Sequence, residues 1–358
     1  MKVFLIAGAR PNFMKIAPLY REAQKYPVEC KIVHTGQHYD YEMSQAFFDD
    51  LELPKPHHFL DAGSGSHAVQ TARIMTAFEE VCERDRPDLV IVVGDVNSTL
   101  ACSIVAKKML IDVAHVEAGL RSGDMTMPEE INRMVTDSIS DYFFVTEQSG
   151  ADNLLREGKP SEKVHLVGHV MIDNLLRQVE RLEQGFEVDP KVQELKKQFR
   201  EYGFMTLHRP SNVDHRENLK GILEALDEIS SALPLIFPVH PRTRKMLERH
   251  ELAFPRKVIP LEPLGFLDAL YLWKDAKVVL TDSGGLQEET TALGVPCITI
   301  RENTERPITV ELGTNILAGC KKEGIIEAYR KQTAGEKTGR IPPLWDGRAS
   351  ERIWQVIT

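Results

Sequence analysis

The sequence predicts an α/β protein of two Rossmann-like, doubly wound parallel-sheet domains facing a cleft, and three observations lead there. Short apolar runs alternate with longer amphipathic stretches along the chain. The run 87–95, PDLVIVVGD, is apolar without alternation, as a strand covered on both faces of a parallel sheet must be. The same strand–helix rhythm restarts near residue 200, after a charged, helix-prone stretch.

In the first half the predicted strands are 2–7, 31–35, 88–93, 113–116, 142–146 and 164–167, with helices such as 68–83 and 129–140 between them. In the second half they are 204–207, 235–239, 257–261, 277–281 and 296–300. The stretch 171–200, rich in Glu, Lys, Arg, Gln and Leu, reads as an amphipathic helix plus a solvated linker. RASERIWQVI, 348–357, reads as one helix after the Pro/Gly-containing segment 341–347. The expected domains are therefore 1–168 plus 348–358, and 169–347. Ligands of such folds sit outside the carboxyl ends of the strands, here in the cleft between the domains.

Bulk properties narrow the function. A chain of 358 residues, 42% hydrophobic and 27% charged, has length for two domains and ample core. A net charge of -9 and a pI near 5.8 argue against a nucleic-acid or anionic-membrane partner. Five cysteines without a CxxC pair read as reduced thiols, not as disulfides or a zinc site. The apolar run in MKVFLIAGARPNF is too short for a signal peptide, and no run approaches the roughly 18 residues of a membrane span, so a cytoplasmic protein is expected. Neither HExxH nor DxDG occurs, so no metal is expected. GSGSHA, 63–68, matches a dinucleotide fingerprint as text but follows no convincing strand, and no tyrosine has Lys four residues on, as nicotinamide epimerases need. No cofactor is expected.

The chemistry-bearing residues cluster after predicted strands. KVVLTDSGGLQEE, 277–289, ends a strand and opens a helix with Ser283, Gly284 and Gly285, whose backbone N–H groups could approach an anion. Glu289, one turn in, is placed to accept from a ribose diol, although a plain Ser N-cap with turn glycines is the alternative. After strand 2–7, Arg10 and Lys15 bracket a helix start, where the dipole disfavours cations unless an anion lies between them. Asp95 and Glu117 end two neighbouring strands, and close carboxylates separate each other's pKa values, which suits one base and one acid at carbon. Pro128, Glu129 and Glu130 start a helix, and one of these acids need only be structural. In the second half, His208-Arg209 and His240 with Arg242 follow strands, and Arg306 could reach the same anion.

Taken in order, GARPNFMKIAPL, TGQHYD, PDLVIVVGDVNSTLA, AHVEAGLRSGD, PEEINR, NLLREG, TLHRPSNVD, PVHPRT, LTDSGGLQEE and RENTERP resemble the non-hydrolysing UDP-N-acetylglucosamine 2-epimerases, over residues 1 to about 320. The resemblance implies a two-domain GT-B fold and a homodimer. It also implies loss of the C2 proton with anti departure of UDP to a 2-acetamidoglucal, then re-addition to give UDP-N-acetylmannosamine. The family's catalytic acids fall on Asp95, Glu117 and Glu129 and its catalytic histidine on His208. UDP contacts are implied for Arg10, Lys15, Ser283, Gly284, Gly285, Glu289 and Arg306, and His240 is grouped with the substrate-binding residues. A GT-B glycosyltransferase, or a 2-epimerase of a UDP-diacetamido sugar or uronic acid, are the competing readings.

Overall fold

The computed structural model describes residues 1–36, 48 and 51–358, with Arg10 described in its backbone alone. The chain divides into one unit of Met1–Asn174 with Pro343–Thr358 and a second of Leu175–Pro342.

Among the described residues of the first unit, β1 (Lys2–Ala7), β2 (Glu29–His34), β3 (His58–Phe59), β4 (Leu89–Val93), β5 (Asp112–Val116), β6 (Tyr142–Val145) and β7 (Val164–Leu166) form one sheet. Its order is β3-β2-β1-β4-β5-β6-β7 and every pairing is parallel. Helices on both faces leave the central strands no solvent side, so β1 is buried from Val3 to Ala7 and β4 throughout. From β1 the chain moves towards one edge and from β4 towards the other. Their carboxyl ends thus form the topological switch point where such sheets open a crevice.

The second unit repeats the plan. Among its described residues, β8 (Gly203–Thr206), β9 (Leu235–Pro238), β10 (Val258–Leu261), β11 (Val278–Thr281), β12 (Cys297–Thr299) and β13 (Asn315–Leu317) are parallel in the order β10-β9-β8-β11-β12-β13. Its switch point lies between β8 and β11, which pair from Gly203↔Val278 to Thr206↔Thr281. The strand–helix alternation of the sequence is therefore a pair of doubly wound sheets.

Three segments differ from the sequence reading. The stretch expected as a solvated linker contains a second helix, Pro190–Lys197, capped by Asp189 and tied down where Lys196 Nζ donates to the Tyr271 carbonyl at 2.6 Å. The short β3 and β13 were not anticipated. The terminal helix Ala349–Ile357 belongs to the first unit: Asp173 accepts the N–H groups of Ala349 and Ser350, and Trp354 Nε1 donates to the Leu19 carbonyl at 2.9 Å. Among the described residues, no helix is long and apolar enough to cross a membrane.

Candidate functional site

At the first switch point β1 leads into helix Arg10–Ala23. Asn12 organises the turn, accepting from Gly8 and Ala9 N–H at 3.2 and 2.9 Å while its amide donates to the Val93 carbonyl at 3.1 Å. One buried side chain thereby joins the ends of β1 and β4. Arg10 occupies the first helical position, but its side chain lies outside the described residues, as do residues 37–40 of TGQHYD. Lys15 is paired with Glu117, Nζ to Oε2 at 2.6 Å, with side chains 12% and 3% exposed. Glu117 holds φ +71°, a left-handed conformation that costs a non-glycine residue about 1–3 kcal/mol and recurs where function sets the backbone. Gly94, before Asp95, is favoured by its backbone. Its φ is +68°, and a Cβ there would stand 2.9 Å from Lys15 Nζ.

Asp95 ends this turn with Oδ2 2.6 Å from Arg133 Nη1, and its carbonyl accepts from Asn132 at 2.8 Å. Each acid thus has its own cation, where the sequence suggested that the two acids would act chiefly on each other. Helix Pro128–Ile139 separates the next pair. Glu130 is 2% exposed and accepts from Ser122 N–H, Gly123 N–H and Arg133. Burial pushes its carboxyl up, but these donors hold it below the usual carboxylate range. Glu130 is the structural acid, fastening the 121–124 loop. Glu129 is half-buried and, among the described residues, has no hydrogen-bond partner.

At the second switch point one buried carboxylate organises the site. Asp282, after β11, accepts from the backbone of His208 at 2.9 Å, from that of Arg209 at 2.7 Å and from Asn212 Nδ2 at 3.1 Å. It also stands 3.1 Å from His208 Nδ1. Burial pushes Asp282 up, while His208 and the two backbone donors hold it below its ordinary value. The His208 ring thus lies with Nδ1 against the Asp282 carboxylate, and it is 39% exposed. Its neighbour His240, ring centroids 5.4 Å apart, caps helix Pro241–His250 by accepting from Arg242 N–H. Burial, then the nearby His208, lower the His240 pKa. The two arginines following these histidines have different duties. Arg242 is paired with Asp214 at 2.9 and 2.5 Å, whereas Arg209 donates Nε to the Asp282 carbonyl and sets Nη2 3.6 Å from Glu305 Oε1, beside Gly284.

Helix Gly284–Leu293 begins beside them. Ser283 is its N-cap by backbone, yet its side chain makes no capping bond, so the hydroxyl and the first N–H groups are not spent on one another. A Cβ on Gly284 would lie 2.7 Å from Glu305 Oε1, whereas a Cβ on Gly285 would meet nothing. Glu289 is buried, and burial, then adjacent Glu288, push its carboxyl up to about 8. Glu288 is paired with Arg306 at 3.0 Å. Sequence reasoning passed over Asn12, Arg133, Asp282 and Glu305. All four stood inside quoted motifs, and for Asp282 its position directly after strand β11 was the available signal.

The chain as a whole is similar to known proteins. Residues 21–358 match the family model described as UDP-N-acetylglucosamine 2-epimerase. The chain is 43% identical over 370 residues to the UDP-N-acetylglucosamine 2-epimerase of Methanocaldococcus jannaschii, covering 100% of this chain and 99% of the relative. It is 40% identical over 363 residues to the UDP-2,3-diacetamido-2,3-dideoxy-D-glucuronate 2-epimerase of Pseudomonas aeruginosa, with 100% and 99% covered. The crystal structure of the M. jannaschii UDP-GlcNAc 2-epimerase in complex with UDP-GlcNAc and UDP matches with a TM-score of 0.86 at 42% identity, over 100% of this chain and 99% of that one.

Proposed function

This chain belongs to the UDP-N-acetylglucosamine 2-epimerase family, and on that premise we propose that it interconverts UDP-N-acetylglucosamine and UDP-N-acetylmannosamine. The observation that carries the reading is the pair of acids at the carboxyl ends of adjacent strands, Asp95 after β4 and Glu117 after β5, each held against a cation. A C2 proton beside no carbonyl is barely acidic, so its removal must accompany departure of the C1 diphosphate. The C2–H electron pair forms the C1=C2 bond, the C1–O pair leaves on UDP, and the proton passes to one carboxylate. Another acid then delivers a proton to the opposite face of C2 as UDP re-adds at C1, because inversion cannot return the proton from the side it left.

The second unit carries groups suited to a departing diphosphate. Ser283, Gly284 and Gly285 offer hydroxyl and N–H donors to the diphosphate, Arg209 and His208 stand beside them, and Glu289 receives the ribose diol. Arg10, Lys15, Glu129, His240 and Arg306 keep the roles the family resemblance implies. Lys15 and Arg306, each paired with a carboxylate in the free protein, must be shared with substrate.

The test is incubation with UDP-N-acetylglucosamine in D2O without added nucleotide cofactor or metal, followed by NMR. Deuterium at C2 of both product and recovered substrate is expected. Epimerised sugar that keeps its protium at C2, or free N-acetylmannosamine as the main product, would overturn the mechanism. Similarity to the P. aeruginosa relative favours a second reading that differs only in the sugar, a UDP-diacetamido uronate, and kcat/KM on the two substrates decides between them. The chain works as a homodimer in this reading. Ile131, Met134 and Val135 form an exposed apolar strip on helix Pro128–Ile139 that supports it, and sedimentation tests it. The five free thiols suit a cytoplasmic setting.

A further inference from the structure

One buried His–Asp pair stands behind both acids of the first unit. His115, on β5, and Asp137, on helix Pro128–Ile139, are each 0% exposed, with Nδ1 2.6 Å from Oδ1. The other ring nitrogen, Nε2, faces the Gly94 carbonyl at 2.9 Å, immediately before Asp95. The other carboxylate oxygen of Asp137 accepts Gly119 N–H at 3.0 Å, two residues after Glu117, and meets Arg121 Nη1 at 2.7 Å. Arg121 continues to Glu157 at 2.7 Å.

Both ring nitrogens lie against oxygen atoms, Asp137 Oδ1 on one side and the Gly94 carbonyl on the other. Burial pushes Asp137 up, yet His115 and Arg121 hold it below the usual carboxylate range. A buried polar pair built on a carboxylate is a costly way to hold a fold, since apolar side chains of similar volume often do as well. What apolar side chains could not do is bond to Gly94 and Gly119. The β4–β5 ladder stops at Val93↔Val116 with one further bond, Gly94 N–H to the Val116 carbonyl, and the two strand ends then separate. We infer that His115 and Asp137 are positioning residues that set the separation of Asp95 and Glu117 by fixing the Gly94 carbonyl and the Gly119 N–H. The inference rests on the acid/base reading of those two residues proposed above.

The test compares His115→Phe, which keeps a ring but loses both nitrogens, with Asp137→Asn. The asparagine amide can donate to Nδ1 of a neutral His115 while its oxygen still accepts from Gly119, so the bonding pattern survives. Rates are expressed per UDP-binding site, from UDP titration below each variant's melting temperature. His115→Phe is expected to lower kcat about 100-fold, the scale of a misplacement near 1 Å, with KM for UDP-N-acetylglucosamine and UDP affinity unchanged. Asp137→Asn should stay near wild-type kcat. Wild-type kcat in His115→Phe, a KM effect in place of a kcat effect, or equal damage in Asp137→Asn would each overturn the inference. If His115→Phe does not fold, His115→Asn is read by the same split. A wild-type chain inactive on UDP-N-acetylglucosamine in D2O overturns the functional reading; an active one with an indifferent His115 overturns only this inference.

Discussion

At Glu289, burial and the neighbouring Glu288 push the carboxyl up to about 8, so in the free protein at pH 7 it is mostly protonated. A ribose diol has two donors to give and is best received by a carboxylate. UDP binding at pH 7 should therefore release most of one proton, measured by calorimetry in buffers of different ionisation enthalpy, and Glu289→Gln should abolish the release. Binding without release would remove Glu289 from the ribose. The same displacement has a stability consequence of fixed sign. A carboxyl raised in the folded state contributes stability fully present below its ordinary 4.5 and lost as pH rises through about 8. Free-protein stability should fall over that window by up to about 1.4 kcal/mol per pH unit, and Glu289→Gln should flatten the slope in urea titrations. Asp282 acts differently, since its donors favour the ionised form. Asp282→Asn would confront the N–H groups of His208 and Arg209 with an amide and free the His208 ring. We expect kcat to fall on the order of 100-fold or more, with the double variant His208→Asn/Asp282→Asn no slower than His208→Asn alone. Additive losses would show that Asp282 does not work through His208.

The start of helix Gly284–Leu293 allows an element-scale test, because its two glycines face different surroundings. Alanine at 284 would press on Glu305, whose carboxylate is fastened to Arg301 at 2.7 Å. Alanine at 285 would meet nothing in the protein and should raise helix stability by up to about 1 kcal/mol. If a diphosphate seats against these N–H groups, Gly285→Ala must collide with the ligand alone. UDP affinity should fall about tenfold, or 1.4 kcal/mol, while the melting temperature holds or rises. Unchanged affinity would place the diphosphate elsewhere. Elements of this kind were legible in the sequence because apolar runs without alternation mark buried parallel strands, as in β1 and β4, and because ligand loops follow their carboxyl ends. The strands that escaped, β3 and β13, are short and open on His58 and Asn315, so no apolar run announced them. Partnerships were less legible than positions. That Lys15 lies on Glu117, Arg133 on Asp95 and Arg242 on Asp214 depends on side-chain directions across 102, 38 and 28 residues, which no local pattern encodes.

Across the molecule, one strand order is used twice with opposite chemistry: the first switch point gathers acids with their cations, the second gathers N–H donors, a histidine and an arginine. The chain closes the first unit only at its end, when helix Ala349–Ile357 packs against helix Arg10–Ala23. Trp354 is fully buried there, donates to the Leu19 carbonyl and stacks on Tyr26 at 6.1 Å, while Asp173 receives the helix's first N–H groups. Helix Arg10–Ala23 also carries Asn12 and Lys15, so the terminal residues support the acid site from behind. Trp354→Ala removes a large buried side chain and leaves the Leu19 carbonyl without its donor, which should cost about 3–5 kcal/mol in urea titrations. Hydrogen exchange should locate the loss in 10–23 and 349–357, and kcat should decline with that local opening before the second unit's strands lose protection. If exchange in 10–23 is unchanged while stability falls, the terminal helix does not brace the site, and its return to the first unit serves the fold alone.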